Sequence, residues 1–213
     1  GVRFSIHARS ACWTADDLED VEQHAAKVWS LDLHGRSFDD ARLAALPHFA
    51  ALEILELHGA PLTGPGLAGL ASLPSLRVLR VRLADASRLD LAALPHLPRL
   101  EVLSLTGMPS ELAGVAAFVT AAASVTELSL AAATVPRADG SLRLPALEQL
   151  TVEMPRIPPW ITIPPTLRRL TVHASAATDD DVRHALAACP DRLETLGLRG
   201  TPVSDRLLAE LAR

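Results

Sequence analysis

Tyrosine and asparagine are absent from this 213-residue chain, lysine occurs only at Lys27, and aromatic residues make up 3% of the whole. With so few rings, any core must be built from aliphatic layers, and Leu, Val and Ala are abundant enough to supply them. No apolar run approaches the roughly 20 residues that a membrane-spanning helix needs, and no signal-peptide pattern follows Gly1. Excess positive charge is missing too. The formal net charge is −5, whereas a nucleic-acid binder normally carries a basic face that displaces counterions from phosphates, so neither nucleic acid nor a membrane is an expected partner. Enzyme signatures are missing as well: there is no GxSxG elbow, phosphate-binding loop, HExxH or CxxC pair. Cys12 and Cys189 stand near opposite ends of the chain and read as reduced thiols, which fits a cytoplasmic setting.

What the chain does contain is a repeating unit. Residues 52–73, LEILELHGAPLTGPGLAGLASL, place a strand-like LxxLxL ahead of a loop and a second, helix-spaced apolar run. Leu55, Leu79 and Leu103 follow at intervals of 24, with Leu31 before them and Leu128, Leu150, Leu170 and Leu196 after them at less even spacing. A unit this short cannot bury its own apolar face and must stack on copies of itself. One domain is expected over 1–213, with strands near 2–6, 28–33, 52–57, 76–81, 100–105, 125–130, 147–152, 167–172 and 193–198. In the first of these, Phe4 and Ile6 fit the last two apolar positions of a unit whose start is missing. Helices are expected where a polar residue can cap an apolar run: from Thr14 through Leu18 and Val21, from Ser110 through Leu112, Val115 and Val119, from Asp179 through Val182 and Leu186, and from Ser204. Five prolines in MPRIPPWITIPPTL predict a helix-free return between Leu150 and Leu170.

LPSLRVLRV, LPRLEVLSL and RLETLGLRGTPVSDRLLAEL together resemble leucine-rich repeat proteins of the bacterial type, and the Pro-rich unit resembles the short repeats of bacterial effector proteins. A bacterial source also fits the Ala-, Arg- and Leu-rich, Asn-free composition, which a GC-rich coding sequence produces. The resemblance implies an α/β fold: a curved, right-handed leucine-rich repeat solenoid, with a parallel sheet on the concave face and helices or irregular turns on the convex face. It also implies an asparagine after each strand, whose side chain satisfies backbone groups. Arg36, Ala60, Ala84, Met108, Ala133, Pro155, Ser175 and Thr201 stand there instead, so water or backbone must serve and the turns should be irregular.

If the leucines point inward, the residues between them line the concave face in three columns. The first runs Ser30, Ile54, Val78, Val102, Glu127, Gln149, Arg169, Thr195; the second Asp32, Glu56, Arg80, Ser104, Ser129, Thr151, Thr171, Gly197; the third His34, His58, Arg82, Thr106, Ala131, Glu153, His173, Arg199, with His7 ahead of it. Ile54, Val78 and Val102 form an aliphatic strip beside Asp32, His34, Glu56, His58, Arg80 and Arg82, the apolar centre and charged rim of a protein-binding patch. The histidine row beside carboxylates has the chemistry to hold zinc or to titrate as a rim. It lacks the H-x-x-x-H spacing of a dedicated site, and no metal, cofactor or catalytic residue is expected. Cys12, close to His7 and His24, reads as a packing residue. Trp13, Trp29 and Trp160 read as core or cap residues and not as a ligand cage, and Trp160, in the Pro-rich stretch, is the one alternative candidate for an exposed partner anchor. Asp179 to Asp181 read as a capped helix start and not a calcium loop.

The expected function is a non-catalytic protein-interaction module. The alternatives are the recognition segment of a larger enzyme or secreted effector, suggested by the truncated first strand and the uncapped last helix, and a scaffold that associates end to end.

Overall fold

The computed structural model describes residues 4–8, 24–35, 39–44, 49–84, 89–187 and 192–211. Within them lies one nine-stranded, all-parallel sheet whose strands neighbour one another in chain order. These are β1 Phe4–Ala8, β2 Val28–His34, β3 Ile54–Ala60, β4 Val78–Leu83, β5 Val102–Thr106, β6 Glu127–Ala131, β7 Gln149–Glu153, β8 Arg169–His173 and β9 Thr195–Leu198. No helix among the described residues is long and apolar enough to cross a membrane.

Strand β2 begins at Val28 as expected, but from β3 onward the strands begin two residues later than LxxLxL suggests, for a local reason. The first apolar residue of these units is buried in four consecutive cases, but its N–H turns back to the carbonyl three residues earlier: Leu52 to Phe49 (3.0 Å), Leu76 to Leu73 (3.2 Å), Leu100 to Leu97 (3.1 Å) and Val125 to Ala122 (3.0 Å). That bond closes a turn, and the extended ladder starts after it. Alternation then buries the last two apolar residues of the units from β2 to β8, as at Leu55 and Leu57, Leu79 and Val81, and Leu103 and Leu105, while Leu196 and Leu198 of β9 are half-buried. Register is continuous from β2 to β9, so Leu31, Leu55, Leu79, Leu103, Leu128, Leu150, Leu170 and Leu196 form one row. Burying a leucine is worth about 1.5–3 kcal/mol, and a row of them makes stacking cooperative.

Strand β1 departs from expectation. Ile6 pairs with Leu31 and Ala8 with Leu33, so His7 stands beside Asp32 instead of His34. The slip is by two residues. It keeps the face and changes the neighbour, and Phe4, left beyond the leucine row, is exposed. The expected helix from Thr14, together with Cys12, Trp13 and Cys189, lies outside the described residues.

Backbone, not asparagine, satisfies the turns after the strands. Gly35 N–H donates to His58 O (2.8 Å), Ala84 to Ala60 (3.2 Å), Ala132 to Glu153 (3.0 Å) and Met154 to His173 (3.0 Å). At Gly59 (φ +76°) the chain bulges, which brings Ala60 beside Leu83, and Gly107 (φ +74°) turns the same corner after β5. Thr201 takes over the asparagine's work. Its buried hydroxyl accepts from Ala174 N–H (3.2 Å) and lies 3.3 Å from Val172 O, to which it donates.

The returning segments hold helices Asp40–Ala44, Gly64–Gly69, Val115–Ala121, Asp179–Ala187 and Asp205–Leu211, and several helix starts are capped by a neighbouring unit. Asp40 accepts from the N–H (2.8 Å) and hydroxyl of Thr63, at the next unit's helix start. Asp139 accepts from Gly114 N–H (2.7 Å) and Val115 N–H (3.0 Å). These two bonds, the Gly114 one first, hold its carboxyl below the ordinary range. Ser110 therefore does not cap that helix: residues 111–112 form a short bridge strand with 137–138, and Gly114 at φ +77° separates Ser110 from the helical turns. Asp179 likewise serves Ser204, whose hydroxyl and N–H (2.9 Å) lower its carboxyl below the ordinary range. The cap of its own helix is Thr178, in a reciprocal pair with Asp181 (2.8 and 3.3 Å). The return through residues 154–166 is helix-free, as five prolines require.

Candidate functional site

The face opposite the leucine core carries the three columns. Register seats Ile54 beside Val78 and Val78 beside Val102; Asp32 beside Glu56 and Glu56 beside Arg80; and His34 beside His58 and His58 beside Arg82. All nine expected patch residues therefore share this face. The three aliphatics are each half-buried, which leaves an apolar strip three strands wide. Ser30, at the head of that column, is an exception at 7% exposure; Ser5 and Ile54 flank it on either side.

Charges on this face pair across strands. Arg80 reaches Glu56 on β3, and Arg77, just ahead of β4, makes two hydrogen bonds to Glu101 (3.1 and 2.8 Å). The Glu101 carboxylate, through those bonds and then through its charge, raises the Arg77 guanidinium above its ordinary value. Farther along, Arg169 donates to Gln149 (2.9 Å) and Arg168 pairs with Glu194 (2.8 Å).

Among the described residues, Asp32, His34 and His58 form a cluster of titratable groups on this face. Asp32 Oδ1 lies 3.0 Å from His34 Nε2 and 3.4 Å from His58 Nε2, while Glu56 Oε2 lies 3.7 Å from His58 Nε2. The two imidazoles stack with centroids 4.2 Å apart and planes 17° from parallel. Adjacency of the rings follows from one residue type recurring at the same column position of consecutive units. That the intervening carboxylate meets both rings is not a matter of spacing alone, since Asp32 had to turn along its strand toward the third column.

Trp160 is not a surface anchor. It is 9% exposed, and its Nε1 donates to Pro136 O (2.8 Å), so the ring fills the core beneath the Pro-rich return. That return has a second consequence which sequence reading missed. With no helix to cover the sheet, a cavity of about 540 Å³ opens between it and helix Asp179–Ala187, lined among others by Ile157, Pro159, Ile163, Val172, Asp181 and His184. The run of prolines is the signal that could have pointed there.

Comparison of the chain with protein-family models finds no match, and comparison with curated proteins finds none either.

Proposed function

We propose that the chain is a leucine-rich repeat solenoid of bacterial type whose open, concave sheet face binds a protein partner, without catalysis of its own. The chain-order sequence of parallel strands and the single leucine row support the solenoid reading. The observation that carries the binding reading is the in-register strip Ile54–Val78–Val102 beside the Glu56–Arg80 pair. Burial of such a strip drives association, and the charged border sets orientation. A sheet held at every strand is already shaped for contact, so little ordering entropy opposes binding.

The test compares the native chain with an Ile54→Asp, Val78→Asp, Arg80→Glu variant. A partner captured by the native chain from extracts of the source organism is identified, purified and titrated against both. Two buried charges in an apolar strip should weaken binding by roughly 30-fold or more, the scale of a lost hot spot. Equal affinity for both chains overturns the reading.

A further inference from the structure

We propose that Asp32, His34 and His58 form a binding site for a divalent cation of the zinc class. The argument is geometric. A tetrahedral zinc site with bonds of roughly 2.0–2.1 Å sets its donor atoms about 3.3 Å apart. Asp32 Oδ1 stands 3.0 Å from His34 Nε2 and 3.4 Å from His58 Nε2, either side of that value. One ligating atom from each of the three side chains lies within 4.8 Å of the others. Closing the remaining gap between the imidazole nitrogens requires the nitrogen-bearing edges of the two stacked rings to converge by at most about 1.5 Å, which small rotations of two side chains supply.

Topology prepares the constellation. Asp32 and His34 are two residues apart on β2 and share its open face, and His58 is in register with His34 on β3. Two paired strands therefore fix all three backbones before any ion arrives, and side-chain rotation is the only ordering left to do. The side chains are half-buried, with 15% of Asp32, 28% of His58 and 36% of His34 exposed. The ion would sit partly out of water but within reach of it.

Donor chemistry selects the class of ion. Two imidazoles and one carboxylate suit zinc and its neighbours among the transition metals, whereas calcium takes six to eight oxygens. Three protein ligands leave a fourth position to water or to an incoming group. Glu56 Oε2, 3.7 Å from His58 Nε2, is close enough to orient that water, while the other Glu56 oxygen stays with Arg80 and offsets its charge. The inference is independent of the protein-binding proposal, because the isolated chain contains every ligand.

Calorimetric titration of tag-free protein with zinc chloride should show saturable binding at one ion per chain, accompanied by a rise in Tm. Cobalt(II) in its place should give the visible absorption of a tetrahedral centre. His34→Gln, His58→Gln and Asp32→Asn should each weaken zinc binding by more than the roughly 10- to 100-fold that loss of an outer-shell partner costs. Their far-UV circular dichroism should match the native chain, since all three side chains lie on the open face. Absence of saturable binding by the native chain overturns the proposal. So does a His34→Gln, His58→Gln double variant that still binds one ion with native affinity.

Discussion

Gly59 and Gly114 hold almost the same backbone angle, φ +76° and +77°, in different surroundings. Substituting each by alanine separates two costs of one methyl group. At Gly59 an added Cβ finds nothing within 4 Å, so only the left-handed backbone penalty applies, about 1.5 kcal/mol. At Gly114 the same Cβ lands on the backbone nitrogen of Ala92, 2.6 Å from Ala92 Cβ and 2.7 Å from Asp90 Oδ1. Ala92 N–H is itself bound to the Asp90 carboxylate (2.9 Å), so the obstacle is not the loose end of a flexible chain. Overpacking of this kind adds about 2 kcal/mol, for a total near 3.5 kcal/mol. The gain from a stiffer unfolded chain is common to both substitutions and cancels in the comparison. At roughly 3 °C per kcal/mol for a chain of this size, the added ~2 kcal/mol should leave Gly114→Ala melting about 6 °C below Gly59→Ala. Thermal unfolding followed by circular dichroism measures both, and urea titration with an unchanged m-value checks that the same transition is observed. Equal destabilisation by the two, or a milder effect at Gly114, would refute the reasoning.

Two further outcomes follow from the hydrogen bonds around the turns. Thr201→Val keeps the shape but removes the acceptor for Ala174 N–H, which should cost about 1–3 kcal/mol in urea unfolding, while Thr201→Ser retains most of the stability. Asp139 and Asp179 have native pKa values depressed below those of the unfolded chain, so the stability they contribute is fully present above the ordinary carboxylate range and is lost as pH falls through the lower native values. From about pH 4 down to about pH 2, Tm should therefore drop more steeply for the native chain than for an Asp139→Asn, Asp179→Asn variant, which cannot titrate there. Superimposable slopes in the two chains would show that these caps do not couple to folding.

The columns were legible because they depend on one local rule, alternation, applied to leucines that must stack on one another; Leu55, Leu79 and Leu103 sit side by side as their 24-residue spacing requires. Where the pattern had two solutions, it could not choose. Phe4, Ile6 and Ala8 all alternate, and the strand register sets Ile6 and Ala8, not Phe4 and Ile6, beside Leu31 and Leu33. Helix starts were harder to read, because their caps come from another unit: Asp139 serves Gly114 and Val115 from 25 and 24 residues away. The fate of Trp160 depended on the volume left open by a missing helix, a quantity with no sequence period. The carboxylate between His34 and His58 was visible as a neighbour in the pattern, but its distance from each ring was not.

A sheet whose rows repeat at a constant interval has a width that recombination can edit. Loss of one 24-residue stretch between Leu55 and Leu103 would seat Ile54 against Val102, Glu56 against Ser104 and His58 against Thr106 while leaving the strand pairings outside that seam in register. Duplication of that stretch would widen the wall by one strand spacing, about 4.8 Å, and add a second copy of Arg80 and Arg82. The width and charge of this wall can thus change in whole steps of one strand, with the leucine row carried across each new seam.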